Sequence, residues 1–418
     1  MAGQDLHGQG LGQGPLSDLL VVDLSRALAG PHATMMLGDL GARIVKIENP
    51  AHGDDTRGWG PPFRWPAGDG HVGQPDEGDE DARESTYFLS ANRNKESVAL
   101  NLKDERDREV LLGLVDRADV LVENFRTGVL DRLGLGFDTL MERNPRLVVL
   151  SITGFGHDGP EGGRSGYDQI AQGEAGLMSI TGSAADDPQK VGTPISDILG
   201  GMYGAYGLMA ALHERERTGK GQVVRTSLLA ATVGVLGFQG TRWTIAETVG
   251  RAAGNHHASI SPYGLFRCAD GAVQIAVGSE GLWQDFCEGF DLDPAMPGFG
   301  TNPERVGRRE ETIEIVEQVF ADWPAEKLLA RLAEIGIPAG KVRSIDEVFA
   351  WDQTRSQGLL IDVEHSTLGD IQLPGPPLRF FDGDTETTFR GHRAPPVLDE
   401  HGAAVRAWVA EEREGRDG

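Results

Sequence analysis

The sequence predicts an α/β protein whose N-terminal part is an open, mainly parallel sheet of the doubly wound kind. Two observations predict the sheet and a third the domain count. "LLVVDLS" (19–25), "RALAGPHATMMLGDLGA" (26–42) and "RIVKIENP" (43–50) read as strand, helix and strand, a βαβ unit. "SVALNL" (97–102), "DVLVENF" (119–125) and "LVVLSITGFG" (147–156) are further strand candidates, with a helical pattern at 103–118 between the first two. The length of 418 residues is too great for one ordinary core and calls for two domains, or one large domain with an insertion.

Taken in order, the first helical pattern is broken by Gly30-Pro31, and in such a sheet ligands are expected just after the strands. The acidic, glycine-rich stretch 66–85 has no apolar period and reads as a mobile surface loop. "ILGGMYGAYGLMAAL" (198–212) carries no charge and is apolar all round, the pattern of a helix buried on every side. A strand at 222–227 and another helix follow. "SISPYGLFRCADGAVQIAVGS" (259–279) reads as a hairpin turning at Asp270-Gly271. Helical patterns at 281–289 and 309–335, a turn, strand and helix start at 336–349, a β-rich tail at 360–392 and a helix at 400–414 complete the chain, with no internal repeat.

Composition narrows the function classes. With 39% hydrophobic and 25% charged residues this is an ordinary soluble composition, and no apolar run reaches the roughly 18–20 residues of a membrane span. A formal net charge of −25 argues against a nucleic-acid surface. Two cysteines, Cys268 and Cys287, are too few for a disulfide framework and read as reduced thiols. The N-terminus lacks the layout of a signal peptide, so residues 1–16 are expected to be a disordered leader and the protein cytoplasmic. Three motifs mislead or fail. "GFGHDG" (154–159) fits a dinucleotide fingerprint but runs into Pro160, Gly162 and Gly163 instead of opening a helix. His256-His257 has no thiol or carboxylate at metal-binding spacing, and G-x-S-x-G is absent. No metal and no permanently bound cofactor is expected.

Asp197 heads the uncharged segment, and two readings of it stand open. As a helix-terminal residue, with Ser196 as a possible cap and Pro194 as a stop, it satisfies orphan amides, worth about 0.5–2 kcal/mol. As a reactive group it sits near one helical face with Gly200, Gly201, Gly204 and Gly207, where glycines permit close approach. Helix amides would then keep it ionised as a nucleophile.

Several stretches together resemble the class III coenzyme A transferases, the family of formyl-CoA transferase and carnitine CoA-transferase with α-methylacyl-CoA racemase as a branch. They are "VVDLSRALAGPHATMMLGDLGARIVKIENPAHGDDTRGW" (21–59), "YFLSANRNKESVALNLK" (87–103), "ADVLVENFRTGVLDRLGLGFDTL" (118–140), "NPRLVVLSITGFG" (144–156), "GYDQIAQGEAGLMSITG" (166–182), "DILGGMYGAYGLMAALHERERTGKGQ" (197–222) and "IGIPAGKV" (335–342). The resemblance implies an acyl-CoA:carboxylate CoA-transferase whose catalytic aspartate is Asp197, forming aspartyl anhydride and aspartyl-CoA thioester intermediates. It implies support from Tyr167, Asp168, Leu28 and Ala29, and coenzyme A contacts from Arg26, Ala27, Asn49, Leu100, Leu102, Lys103, Asn124, Phe125, Arg132 and Leu133. Coenzyme A thioesters and carboxylic acids are then substrates. Arg26, Arg57 and Arg93 are expected as receivers of a second carboxylate on a dicarboxylic acceptor.

The racemase branch carries "GHD" where this chain has "GYD", Tyr167 replacing the histidine base; a phenol with pKa near 10 is a poor base, which favours transfer. Leu28, Asn49 and the "GNHHASISPYG" segment (254–264) depart from the formyl-CoA transferase pattern and point away from formate and oxalate. The implied fold is a large Rossmann-like domain from N- and C-terminal segments (17–215 and 340–418) with a smaller α+β middle domain (225–335). The resemblance also implies two ring-shaped chains interlocked as a homodimer. A racemase, and a CoA-binding protein without turnover, are the alternatives.

Overall fold

β1 (Leu20–Asp23), β2 (Arg43–Glu48), β5 (Lys95–Ala99), β6 (Val120–Glu123), β7 (Val148–Thr153) and β8 (Val223–Ser227) form one sheet in the order β5-β2-β1-β6-β7-β8. The short pair β3 (Phe63–Arg64) and β4 (Glu84–Ser85) stands apart. The structure is a computed structural model that describes residues 14–66 and 83–414. Most of the expected leader 1–16 and of the acidic loop 66–85 lies outside the described residues.

Every pairing in the six-stranded sheet is parallel. Side chains on both of its faces are buried, which is why the runs read as near-continuous apolar segments. One face carries Val21, Ile44, Val120, Leu150 and Ile152 against α1 (Ala29–Gly38) and α7 (Ile195–Thr218). The other carries Val22, Val45, Leu121 and Val149 against α3 (Glu105–Val115), the residues around α4 (Val129–Arg132) and α5 (Phe137–Arg143), and the C-terminal helix Gly402–Glu414. From β1 the chain builds outward to β2 and β5, then returns to the other side through β6, β7 and β8. The crevice between the carboxyl ends of β1 and β6 is therefore the topological switch point.

Two local expectations shift. Helix α1 begins at Ala29, so Gly30-Pro31 fall in its first turn and do not break it. A proline there loses no hydrogen bond, because first-turn amides have no intrahelical partner. The 309–335 pattern divides into Arg309–Phe320 and Ala325–Glu334, with Pro324 at the junction. The sequence reading also passed over α2 (Thr86–Ala91), which Ser85 caps by accepting from the Tyr87 and Phe88 amides, and α6 (Asp168–Glu174).

The chain divides into two compact units, the first comprising the described residues up to Ala175 with Gly192–Gly240 and Asp352 onward, the second Gly176–Val191 with Thr241–Trp351. Residues 225–240 stay with the first unit, where α8 (Leu228–Gly234) packs on α6 and α7. In the second unit, strands Tyr263–Cys268, Gly271–Ala276 and Ala339–Gly340 form an antiparallel sheet over a core of Phe266, Trp283, Phe286, Phe320 and Leu332. Cys268 pairs with Gly271, so its hairpin turns on Ala269-Asp270. Cys268 and Cys287 are free. Among the described residues no helix is long and apolar enough to cross a membrane, and no cluster of His, Cys, Asp or Glu has the makings of a metal site.

Candidate active site

The switch-point crevice is a cavity of about 300 Å³, and seven of the expected coenzyme A residues line it: Arg26, Asn49, Leu100, Leu102, Lys103, Phe125 and Leu133. They come from the ends of four strands, β1, β2, β5 and β6, and from the turn after α4. Asn124 adjoins rather than lines the cavity. Its side chain brackets the Arg26 backbone, accepting from the amide at 2.9 Å and donating to the carbonyl at 2.7 Å. Arg132 is exposed on α4 and outside the lining, and Ala27 lies in the loop behind it.

Sequence reasoning missed Lys46, Glu48, His52, Asp54 and Asp55 in the same lining. The signal was in "GDDTRG", a carboxylate-rich turn directly after a strand. The cavity mixes signs: Arg26 faces Asp55 at 3.1 Å on the surface, and Lys46 faces Asp54 at 2.8 Å in the interior. Lys103 is exposed at the rim, where no ion pair holds it among the described residues. Arg57 and Arg93 are not available to a substrate. Arg57 grips Glu48 at 2.7 and 2.8 Å with its plane 3.7 Å from the Phe88 ring centroid, and Arg93 grips Asp39 at 2.5 and 2.7 Å.

Asp197 is the third residue of α7, half-buried. Pro194 occupies the cap position without a side-chain hydrogen bond, so Ser196 is not the cap. Instead Asp168, first residue of α6, accepts the Ser196 amide at 2.8 Å and a Gln172 amide hydrogen at 2.7 Å. The Ile198 amide goes to the Pro194 carbonyl. These bonds take up helix-end donors expected to keep Asp197 ionised. Burial, then the neighbouring Asp168 carboxylate, pushes its pKa up to about 7, and among the described residues neither a hydrogen bond nor a cation offsets them.

The glycines bring this end of α7 against α1. A Cβ on Gly201 would stand 2.6 Å from the Ala29 carbonyl oxygen, so only glycine lets the two backbones meet one turn after Asp197. Leu28 and Ala29 are buried there, at the cap and first position of α1. Tyr167 points outward, 66% exposed. A second aromatic escaped sequence reasoning because nothing local marks it. Tyr87, half-buried and edge-on to Trp59 at 5.0 Å, has its phenol held up at about 12 by burial and then by the Asp197, Asp168 and Asp54 carboxylates. It stays a neutral O–H donor at every physiological pH. An open groove of about 450 Å³ runs beside it along Trp59, Gly60, Pro61 and Pro62.

Comparison with known proteins gives the family. The chain is 37% identical to the succinyl-CoA:glutarate CoA-transferase of Homo sapiens over 93% of its length and 84% of that protein. It is also 37% identical to the acetyl-CoA:oxalate CoA-transferase of Acetobacter aceti, over 94% of its length and 95% of that protein. A crystal structure of a CAIB/BAIF family protein from Brucella suis superposes with a TM-score of 0.81 at 37% identity, covering 95% of this chain and all of that one. The profile of CoA-transferase family III matches residues 16–402, and the chain belongs to that family, as an enzyme of the transferase type.

Proposed function

We propose that this CoA-transferase moves coenzyme A between two carboxylic acids through covalent intermediates on Asp197. The observation that carries the reading is the placing of one half-buried, unsatisfied carboxyl at a glycine-packed helix junction. An Asp197 oxygen attacks the donor thioester carbonyl; the C–S bond breaks and coenzyme A leaves as the thiolate. The thiolate attacks the aspartyl carbonyl of the anhydride, releasing the donor acid and leaving an aspartyl thioester. The acceptor carboxylate attacks that thioester, and the returning thiolate takes the new acyl group and frees Asp197. No proton changes hands, consistent with a site that holds no histidine base at the position of Tyr167. What the site supplies is alignment and exclusion of the water that would hydrolyse the anhydride.

The cavity residues Arg26 and Lys103 are cations suited to the coenzyme's phosphates, with Leu100, Leu102, Phe125 and Leu133 as apolar wall. Tyr87, as a neutral donor beside Asp197, suits the acid. Both curated relatives named above act on a dicarboxylic acceptor, and the acceptor here is a short dicarboxylic acid. The test is intact-protein mass spectrometry with succinyl-CoA, followed by turnover with glutarate, oxalate and butyrate. An adduct on the Asp197 peptide and preference for a dicarboxylate are expected; equal rates with butyrate would refute the acceptor class, and no adduct with any donor the mechanism.

Rate should follow the ionisation of Asp197. Only the carboxylate attacks, and a pKa near 7 means kcat/KM climbs with pH and levels off by about pH 9. Asp168→Asn keeps the hydrogen bond to Ser196 but removes the second cause of the raised pKa, so the rising limb moves to lower pH. Burial, the larger cause, remains, and the limb stays above the ordinary carboxylate range. A profile flat between about pH 5 and 8 would contradict this assignment.

The enzyme works as a homodimer of interlocked chains. Supporting this, the α7 segment expected to be buried on every side leaves Met202, Tyr203, Tyr206 and Met209 exposed, Tyr206 at 74%. These fall at i, i+1, i+4 and i+7, a helical stripe fit for a second copy. Tyr206→Glu should shift sedimentation from dimer to monomer. An unchanged dimer would remove this stripe from the interface. The two free cysteines fit a reducing, cytoplasmic setting.

A further inference from the structure

Ala27 has φ 63°, in the left-handed region that costs any residue with a Cβ. Such conformations persist where the surroundings over-determine them. Here five backbone groups of Ser25–Ala27 are gripped by side chains. The Ser25 amide donates to Asp23 at 2.9 Å and its carbonyl accepts from Lys46 at 2.9 Å. Asn124 holds both polar groups of Arg26, and the Ala27 amide donates to Asp54 Oδ1 at 3.1 Å.

Asp54 is itself immobilised, 3% exposed. Its Oδ1 also accepts from the Thr56 amide at 2.9 Å and hydroxyl at 2.8 Å, its Oδ2 from Lys46 at 2.8 Å, and its amide donates to Glu48 at 2.9 Å. Glu48 is braced in turn by Arg57 and by Ser97 at 2.6 Å. The strained loop connects two things the reaction must align. Arg26 lines the cavity, and Ala29, two residues beyond the kink, abuts Gly201 one turn from Asp197.

We propose that Asp54, held by Lys46, is a positioning residue that clamps the left-handed turn at Ala27 and so sets the thioester in the cavity against Asp197. This rests on the CoA-transfer reading of Asp197 given above. Released, Ala27 relaxes to φ < 0 and the start of α1 shifts against α7. The cavity wall formed by Leu100, Leu102, Phe125 and Leu133 is untouched, so binding survives while alignment is lost.

Asp54→Ala should lower kcat about tenfold, with KM for acyl-CoA changed less than about threefold. Ala27→Gly alone, measured in parallel, supplies the baseline for the double variant. Added to Asp54→Ala, it should restore most of the lost kcat, since glycine adopts the turn without a clamp. Loss of a stabilising charge alone would not be rescued by that glycine. Asp54→Asn, uncharged but isosteric, carries the same expectation in smaller measure if the alanine variant does not fold. Wild-type kcat in a folded Asp54→Ala, or no rescue by Ala27→Gly, would overturn the proposal. Amide hydrogen exchange over residues 24–31, measured without substrate, separates it from the transfer reading. Faster exchange in the Asp54 variants is expected whether or not any donor turns over, and unchanged protection overturns the clamp even in an active enzyme.

Discussion

Asp197→Ala should abolish transfer, by a factor of about 10³ or more in kcat, while acyl-CoA binding stays within a few-fold of wild type. The covalent adduct expected on the native protein should be absent from this variant. Stability provides a second and independent readout, because the two readings of this residue predict opposite signs. If Asp197 only terminates a helix, its removal costs about 0.5–2 kcal/mol. The structure gives it no such work: Asp168 caps the Ser196 amide, and the Asp197 pKa rises from 3.8 to about 7 on folding. The folded state therefore holds this proton more tightly than the unfolded chain. Its contribution to stability is full below about pH 4 and lost as pH rises to about 7. At pH 8 the alanine variant should melt above wild type and at pH 4 no higher. A lower melting point at pH 8 would return Asp197 to a structural role.

The strands ending at the crevice were legible because each is a short apolar run buried on both faces, and strand ends of a parallel sheet are where ligands bind. The seven expected residues that line the cavity came from the family resemblance, not from strand geometry, which marks only the region just after the strands. What was not legible is pairing across long separations. Arg57 and Arg93 look like free cations in sequence, yet Glu48 and Asp39, the latter 54 residues from Arg93, occupy them. Asn124 looks like a ligand contact, but its partner is a backbone 98 residues away. Likewise the apolarity of 198–212 records that the segment shuns water, not that its own chain covers it. The carboxylate at 197 stood out in sequence, but its protonation did not, because the Asp168 charge and the extent of burial belong to the folded state.

The same long-range pairing makes Asp23→Asn a strongly destabilising substitution, with an expected loss of about 3–5 kcal/mol at pH values where Lys95 is charged in both proteins. Lys95, fully buried, directs its ammonium hydrogens at Asp23 (3.0 Å), the Pro31 carbonyl (2.9 Å) and Asn92 (3.0 Å). Of these only Asp23 carries charge. Asp23 in turn accepts from Thr34 at 2.7 Å and from the Ser25 amide and hydroxyl, and its carboxyl is held near 2 against burial by Lys95 and Lys46. An asparagine keeps the shape and the bond to Ser25 but leaves Lys95 a buried cation with no anion in contact, Asp54 acting only from farther off. Lys95 already titrates near 8, lowered first by burial, and without Asp23 it titrates lower still. The deficit should therefore be full below the variant's own Lys95 pKa and narrow as pH approaches and passes about 8, where the amine is neutral in both proteins. Urea unfolding at pH 6.5 and 9 measures both, and adding Lys95→Met should return much of the loss by replacing the stranded charge with an apolar chain of similar length. A deficit below about 0.5 kcal/mol at neutral pH, or one that grows with alkalinity, would mean that water or another anion reaches Lys95. Because Asp23 also fixes Ser25 at the mouth of the cavity, the double variant separates the two duties. Restored stability with kcat still low would place Asp23 among the residues that align the loop, and full recovery of both would leave it as a counter-ion alone.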